Sequence, residues 1–328
     1  MRQGRREDTD VDSLIHQLNQ RYRVEFDRAE ALQATMQSYQ GSRLWPWFVR
    51  LRGLGQWCRA FFPGKRTAAT ASTEPNRVKP SITSEPFHPQ PAVMYSPQDV
   101  SIVIPFRDQV KLLERCVLPL HRTVPGVELI LVDNGSTEHC TKNFIQECQA
   151  SYQARIIYQD EPFNFSKLCN AGAAGAQREF LLFLNNDVLA AQPTWLDAML
   201  ECAADPKVGI VGATLLYPDR TLQHVGLFPS GPEETWVHPY RYEPEGHPGK
   251  DNELRNIRTV PAVTGACLLI RRSVFEAVGG FDPQFAATMN DVDLCQRVKA
   301  RGWEVVITPF ARLWHFESLS RGYQREVA

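Results

Sequence analysis

From Val100 onward the chain alternates short, almost wholly apolar runs with longer amphipathic ones, and this alternation constrains the fold more than any other feature. The apolar runs Val100–Pro105, Val127–Val132, Ala154–Tyr158 and Phe180–Leu184 read as strands. Between them, Gln109–Leu120, Thr141–Ser151 and Ser166–Ala176 read as helices. Strands that are apolar on both faces need cover on both faces, and intervening helices supply it. The expected fold class is therefore α/β, a mostly parallel sheet wrapped by helices. In such sheets ligands bind beyond the carboxyl ends of the strands, so the chemistry is sought there.

Two zones of different composition precede this one. In residues 1–62, Ile15, Leu18, Tyr22, Phe26, Ala29, Leu32 and Met36 recur at spacings of three and four, a helical stripe. A segment rich in Trp, Phe and Arg follows, from Leu44 to Arg66. Such residues suit a membrane interface, where rings sit at headgroup depth and cations meet anionic lipid. They equally suit packing on protein, so membrane-surface contact and homo-oligomerisation both stay open for the N-terminal helix. Residues 63–97 hold seven prolines and many Ser and Thr without apolar periodicity, which reads as a linker. The main domain is expected over 98–328.

The whole chain has 328 residues, 43% hydrophobic and 22% charged, enough to bury a large core. Its formal net charge of −1 lacks the basic balance of a duplex binder, so no nucleic-acid partner is expected. None of the eight cysteines forms a C-x-x-C pair, and buried reduced thiols are expected rather than disulfides or zinc. The first residues lack the apolar core of a secretory signal, and no apolar run approaches a bilayer's thickness. The expected location is cytoplasmic, with peripheral contact at the inner membrane face if the N-terminal segment binds lipid.

Three strands end in polar residues at the expected ligand edge. They are Pro105-Phe106-Arg107-Asp108, Asp133-Asn134-Gly135-Ser136 and Asn185-Asn186-Asp187. One such ending is ordinary turn chemistry; three at the same edge point to a site. Farther on, Asn290-Asp291-Val292-Asp293 opens a helix that ends at Gly302. One acid there would cap the helix, and two exceed that need.

The segments SIVIPFRD, ELILVDNGSTE, FNFSKLCNAGAAGA, FLLFLNNDV, TGACLLIRRSVFEAVGGFD, NDVDLCQRVKARGW and ARLWHFESLSRG, in this order, resemble glycosyltransferase family 2. The likeness is greatest to its bacterial polysaccharide and O-antigen branch, whose members are often labelled rhamnosyltransferases. It implies the GT-A nucleotide-diphospho-sugar fold, a Rossmann-like sheet with helices on both faces. It also implies inverting transfer of a hexosyl or deoxyhexosyl group from a UDP- or dTDP-sugar to a hydroxyl of a glycan acceptor. Family likeness makes Asp133 the partner of the donor's base, with Ser136 capping the turn. It places Asn185-Asn186-Asp187 at the family's D-x-D position, with Asp187 as the one carboxylate for Mg2+ or Mn2+ and Asn185 or Asn186 adding a carbonyl or a ribose contact. His315 falls where relatives place a further metal ligand. Asp291 becomes the catalytic base, because Asn290 replaces the first acid of the family's Glu-Asp pair.

Other candidates complete the expected site. Pro105, Phe106 and Asp108 border the donor at the first strand end. Lys167 and Asn170 lead into a small-residue helix; Lys167 is expected to meet the diphosphate or the base, and Asn170 the donor. Gly265 and Ala266 place small groups by the sugar pocket. Asp293, Trp236 and His238 are assigned to the acceptor side, the last two on a Pro- and Gly-rich stretch, 229–250, expected to be a mobile loop. The acceptor is expected to be a glycan, lipid-linked in one form of this reading. Members of this branch usually continue past Ser320–Gly322, so the acceptor side is expected to need a further segment or a partner.

Two rivals follow from the departures. A nucleotidyltransferase would use a metal and a nucleotide on a related sheet, but its Gly-rich, lysine-bearing loop is replaced by Pro105-Phe106-Arg107-Asp108. A catalytically silent binding or scaffolding subunit is the other, kept open by the asparagines at 185, 186 and 290.

Overall fold

The computed structural model describes residues 84–90, 93–230 and 235–316. The N-terminal helical stripe, the aromatic–arginine segment and the Ser-Arg-Gly at 320–322 lie outside them. Pro80–Ala328 clusters as one compact unit.

The first half is built as the apolar runs predict. Strand β1 (Val100–Phe106) is followed by helix α1 (Val110–Thr123), β2 (Glu128–Asp133), α2 (His139–Tyr152), β3 (Arg155–Tyr158), α3 (Phe165–Gly175) and β4 (Phe180–Leu184). The four strands lie side by side in the order β3-β2-β1-β4, all parallel. Alternate residues of each strand enter opposite core layers, as the two-residue period of a strand requires. Ile102, Ile104, Leu131 and Leu182 face one layer, under α1 and α2. Val103, Ile130, Val132 and Phe183 face the other, under α3. The small residues of α3 let it lie close on the sheet: a methyl added at Gly172 would overlap Val103 and press on Val132.

The second half is less regular. It comprises β5 (Val188–Ala190), α4 (Trp195–Ala203), β6 (Val208–Leu216), β7 (Leu222–His224), β8 (Phe228–Ser230), β9 (Thr235–Val237), β10 (Arg258–Thr259), β11 (Cys267–Arg271), α5 (Arg272–Ala277), α6 (Asn290–Ala300) and β12 (Glu304–His315). Strand β11 runs antiparallel between β4 and β6, and β12 lies parallel to β6 on its far side. The complete sheet has ten strands, parallel on one side and mixed on the other. Strand β12 breaks register between Thr308 and Arg312, and its end then pairs with β5, setting His315 opposite Val188. Helix α6 covers the second core layer with Val292, Leu294, Cys295 and Val298.

The described end of the expected linker packs on the domain instead of running free. Phe87 N–H donates to Ile257 O at 2.8 Å, and Thr259 N–H donates to Glu85 O at 3.1 Å. The Tyr95 ring meets Phe180 edge-on at 4.7 Å. Phe87 and Tyr95 are partly buried against the first core layer, which offsets the cost of ordering the stretch, whereas Val93 and Met94 stay exposed. The described cysteines are free thiols, all buried except Cys140. Among the described residues no helix is long and apolar enough to cross a membrane.

Candidate active site

Parallel register brings the ends of three strands into a row: Phe106 lies beside Asp133, and Asp133 beside Tyr158. Beyond that row opens a cleft of about 350 Å³ lined by Asp133, Gly135, Ser136, Lys142, Tyr158 and Asp160, among others. Asp133 is buried at 3% exposure, and its Oδ1 accepts the Ser136 N–H at 2.8 Å. Ser136 Oγ in turn accepts the Asp108 N–H at 2.8 Å. Gly135, at φ +72°, lets the Asp160 carboxylate approach its backbone more closely than any side chain would permit. Asn134 Nδ2 donates to Gln159 O and to Glu161 O, both at 2.8 Å, and so ties the two loops that form the cleft wall.

A second cluster lies where β4, β5, β11 and β12 meet. The antiparallel register of β11 on β4 places Cys267 opposite Leu184, and Asn185 N–H donates to Ala266 O at 3.0 Å. The turn Thr264-Gly265-Ala266 therefore lies across from Asn185-Asn186-Asp187. Asn186 and Asp187 are both buried. Asp187 Oδ1 faces His315 Nε2 at 3.2 Å, because the pairing of β12 with β5 carries His315 to that position. His315 Nδ1 lies 2.6 Å from Gln223 Oε1, an acceptor, so Nδ1 carries the proton. In the neutral ring, Nε2 then presents a lone pair to a carboxylate oxygen. Two acceptors at this distance, a buried carboxylate oxygen and a part-buried ring nitrogen, are stabilised by a proton or a cation beside them. Adjacent ligands on an octahedral ion with bonds of about 2.1 Å stand roughly 3 Å apart, so the pair fits a divalent metal. Among the described residues no cluster of three His, Cys, Asp or Glu side chains stands ready for a metal. The pair supplies two ligands, and diphosphate and water would have to supply the rest.

Asp291 opens α6 and reaches back to the same turn. Its Oδ2 accepts the Gly265 N–H at 3.0 Å, and its Oδ1 accepts the Val292 N–H at 2.8 Å. Burial pushes its carboxyl above the ordinary aspartate value, and the amide hydrogen bonds from Gly265 and Val292 pull it part of the way back. A basic, oriented carboxylate beside the Asn185–Asp187 segment is chemically suited to taking a hydroxyl proton.

Several other candidates are engaged elsewhere. Phe106 is a core side chain, and Pro105 is buried beside it. The Asp108 carboxylate accepts the Thr137 and Glu138 amides at 2.7 and 2.9 Å, so it holds the loop before α2. Asn170 uses both ends of its amide on the Phe281 backbone, at 2.8 and 2.9 Å, which fixes the turn after α5 and leaves one N–H and one lone pair of the amide for other partners. Lys167 Nζ pairs with Glu161 at 2.9 Å in solvent, and Asp293 is held by Arg297 one helical turn away. Trp236 lies on β9 and packs against the second core layer. Residues 240–245 of the stretch expected to be mobile are fastened: Tyr242 stacks on Tyr217 at 5.3 Å, Tyr240 donates to Glu253 Oε1 at 2.5 Å, and Glu245 pairs with Arg220 and Arg312. His238 meets His224, its Nδ1 3.1 Å from the other ring's Nδ1.

Gln223 and His224 were not among the sequence candidates, nor were Tyr158 and Asp160. Strand β7 is three residues long and carries no periodic signal, so nothing in the sequence marked the first two. Tyr158 and Asp160 had a usable signal, because they follow a strand end at the same edge as Asp133.

A family model described as "Glycosyltransferase like family 2" matches residues 97–324, about seven-tenths of the chain. The chain belongs to this family. The O-antigen biosynthesis protein RfbC of Myxococcus xanthus is 39% identical to this family 2 chain over 225 residues, 68% of the chain. The chain spans 25% and 18% of the lengths of the two curated relatives it matches at about 40% identity. The N-acetylglucosaminyl-diphospho-decaprenol L-rhamnosyltransferase of Mycobacterium tuberculosis is 30% identical over 237 residues, 64% of this chain and 73% of that protein. The mannosyltransferase PcManGT from Pyrobaculum calidifontis, solved with GDP-Man and Mn2+, superposes with a TM-score of 0.52 at 18% identity, over 70% of this chain and 60% of that one. The family 2 domain thus has the GT-A fold.

Proposed function

We propose that this family 2 chain is an inverting, metal-dependent glycosyltransferase. In this reading it moves a sugar from a UDP- or dTDP-sugar to a hydroxyl of a glycan acceptor during cell-surface polysaccharide synthesis. The observation that carries it is the convergence on one turn: Asp291 is held by Gly265, and that turn lies across from the segment whose Asp187 faces His315.

Asp133, at the floor of the strand-end cleft, accepts a base N–H, as a buried carboxylate that already receives one amide can. Tyr158, 67% exposed at the end of β3, offers a ring face to the base. Asp187 and His315 would hold the metal, with Gln223 orienting the imidazole. When bound, the metal takes up charge developing on the leaving diphosphate. Asp291 accepts the acceptor's hydroxyl proton while that oxygen forms its bond to the anomeric carbon and the bond to the diphosphate oxygen breaks. One such displacement inverts the anomeric centre.

The test is calorimetric titration with UDP, dTDP and, as a control, GDP, with and without Mn2+, for the wild type and Asp187→Ala. Pyrimidine nucleotide binding that needs both Mn2+ and Asp187 is expected. Binding of none of the three by folded protein with Mn2+ present would move the reading to a silent scaffolding subunit.

A further inference from the structure

His224 is 1% exposed, on β7 at the margin of the sheet, and its ring is flanked on both sides. Its Nε2 lies 3.2 Å from the Thr264 backbone N–H. That N–H can only donate, so Nε2 accepts and the ring proton sits on Nδ1. His224 Nδ1–H then donates to His238 Nδ1, 3.1 Å away, and this fixes the tautomer. Thr264 immediately precedes Gly265, whose N–H is the donor to Asp291 Oδ2. Burial first, and then the nearness of His238, Arg258 and His315, keep His224 well below the ordinary histidine value and therefore neutral.

We propose that His224 is a positioning residue for the base, with His238 setting its tautomer so that it holds the Thr264–Gly265 turn against Asp291. The proposal rests on the transferase reading above. Adjacent residues of one short strand thereby serve the two halves of the site. Gln223 orients His315 of the metal pair, and His224 orients the turn that presents Asp291. A small displacement of that turn would move the carboxylate relative to the hydroxyl without touching nucleotide contacts.

Two amide substitutions separate His224's two hydrogen bonds. His224→Asn places its amide near the Nδ1 position, keeping a donor toward His238 and losing the acceptor for Thr264. His224→Gln places its amide near Nε2 and keeps that acceptor. The readout is the full-length protein's hydrolysis of UDP- or dTDP-sugars with Mn2+, where water takes the acceptor's place, alongside calorimetric UDP affinity. His224→Asn is expected to lower kcat about 10- to 100-fold, with donor KM and UDP affinity unchanged. His224→Gln is expected to return kcat to within about threefold of the wild type. Equal kcat in both variants, or a loss that appears in donor KM and UDP affinity, overturns the proposal. If His224→Asn does not fold, long-range 1H–15N spectra of the wild-type histidines decide. A His224 ring protonated on Nδ1 alone supports the relay, and one protonated on Nε2 overturns it. A wild type that binds no nucleotide and turns over no donor instead removes the transferase reading, and the proposal with it.

Discussion

The two halves of the sheet contribute to the site in different ways. In the half from β1 to β4, each contributing residue sits at the end of the strand that carries it, and parallel register aligns those ends. In the half from β5 to β12, the contributing residues meet through long-range pairing. His315 is oriented by Gln223, 92 positions away in the chain, and Thr264 is held by His224, 40 positions away. The first half presents the strand-end cleft, which the proposal gives to the base, as a consequence of its topology. The second half brings the proposed catalytic groups together only once antiparallel strands, a register break in β12 and a backbone turn have all formed. A nucleotide cleft should therefore tolerate changes in the chemistry half, whereas the chemistry should fail when single contacts in that half are lost.

The largest break in that comparison is Asp291→Asn. Loss of a general base is expected to lower turnover about 10³-fold while UDP affinity stays at the wild-type value. Wild-type kcat should rise with pH through the raised carboxyl value and fall away below it, where Asp291 binds a proton. The folded state binds that proton more tightly than the unfolded state does, so this group's contribution to stability declines as pH rises through the raised value. Removing the charge favours folding, but Asn keeps one acceptor and sets its NH2 group against the other amide, so the thermal midpoint of Asp291→Asn at pH 7 should change little while turnover falls, and a melting curve beside the rate measurement checks both. A large fall in both would mean that Asp291 is a structural cap.

The converse change is Asp133→Asn in the other half. A hydrogen bond to a buried charge contributes about 1.5–3 kcal/mol, so UDP affinity should weaken about 10- to 100-fold. At saturating donor, kcat should stay near the wild-type value. A large fall in kcat at saturation would show that the two halves are coupled more tightly than their separate construction implies.

Legibility from sequence follows the same division. The strands of the first half and Asp133 could be read because apolar runs and the polar residues that end them are local features. The small-residue character of α3 was likewise readable, and its reason is now specific: Gly172 rests on Val103 and Val132. Gly172→Ala should cost about 1–3 kcal/mol through overpacking and lower the thermal midpoint, with donor KM little changed in the protein that stays folded. Asp187 was readable too, because its segment ends β4, and the paired acids at the start of α6 marked Asp291; the roles given to them, and His315 altogether, came from family resemblance. Gln223 and His224 carried no signal, because their roles exist only in backbone and side-chain contacts between distant segments. Local reading assigned Asn170 to the donor and could not foresee that its amide also holds the Phe281 backbone from both ends.

The smallest expected effect concerns Lys167, which the sequence placed at the diphosphate. Its side chain is 55% exposed and pairs with a Glu161 side chain that is 53% exposed. Exposed pairs of this kind contribute about 0–1 kcal/mol, so Lys167→Ala should shift the melting midpoint marginally. If the lysine stays with Glu161, UDP affinity should change less than about threefold, a difference below about 0.7 kcal/mol. Because the pair is solvated, little opposes its opening toward an anion. A tenfold loss of UDP affinity in Lys167→Ala, with no such loss in Glu161→Gln, would mean that the side chain leaves Glu161 when diphosphate arrives. The nucleotide half would then be completed by its ligand, as the Asp187–His315 pair of the other half would be by a cation, and the contrast between the halves would narrow to the way their backbones are built.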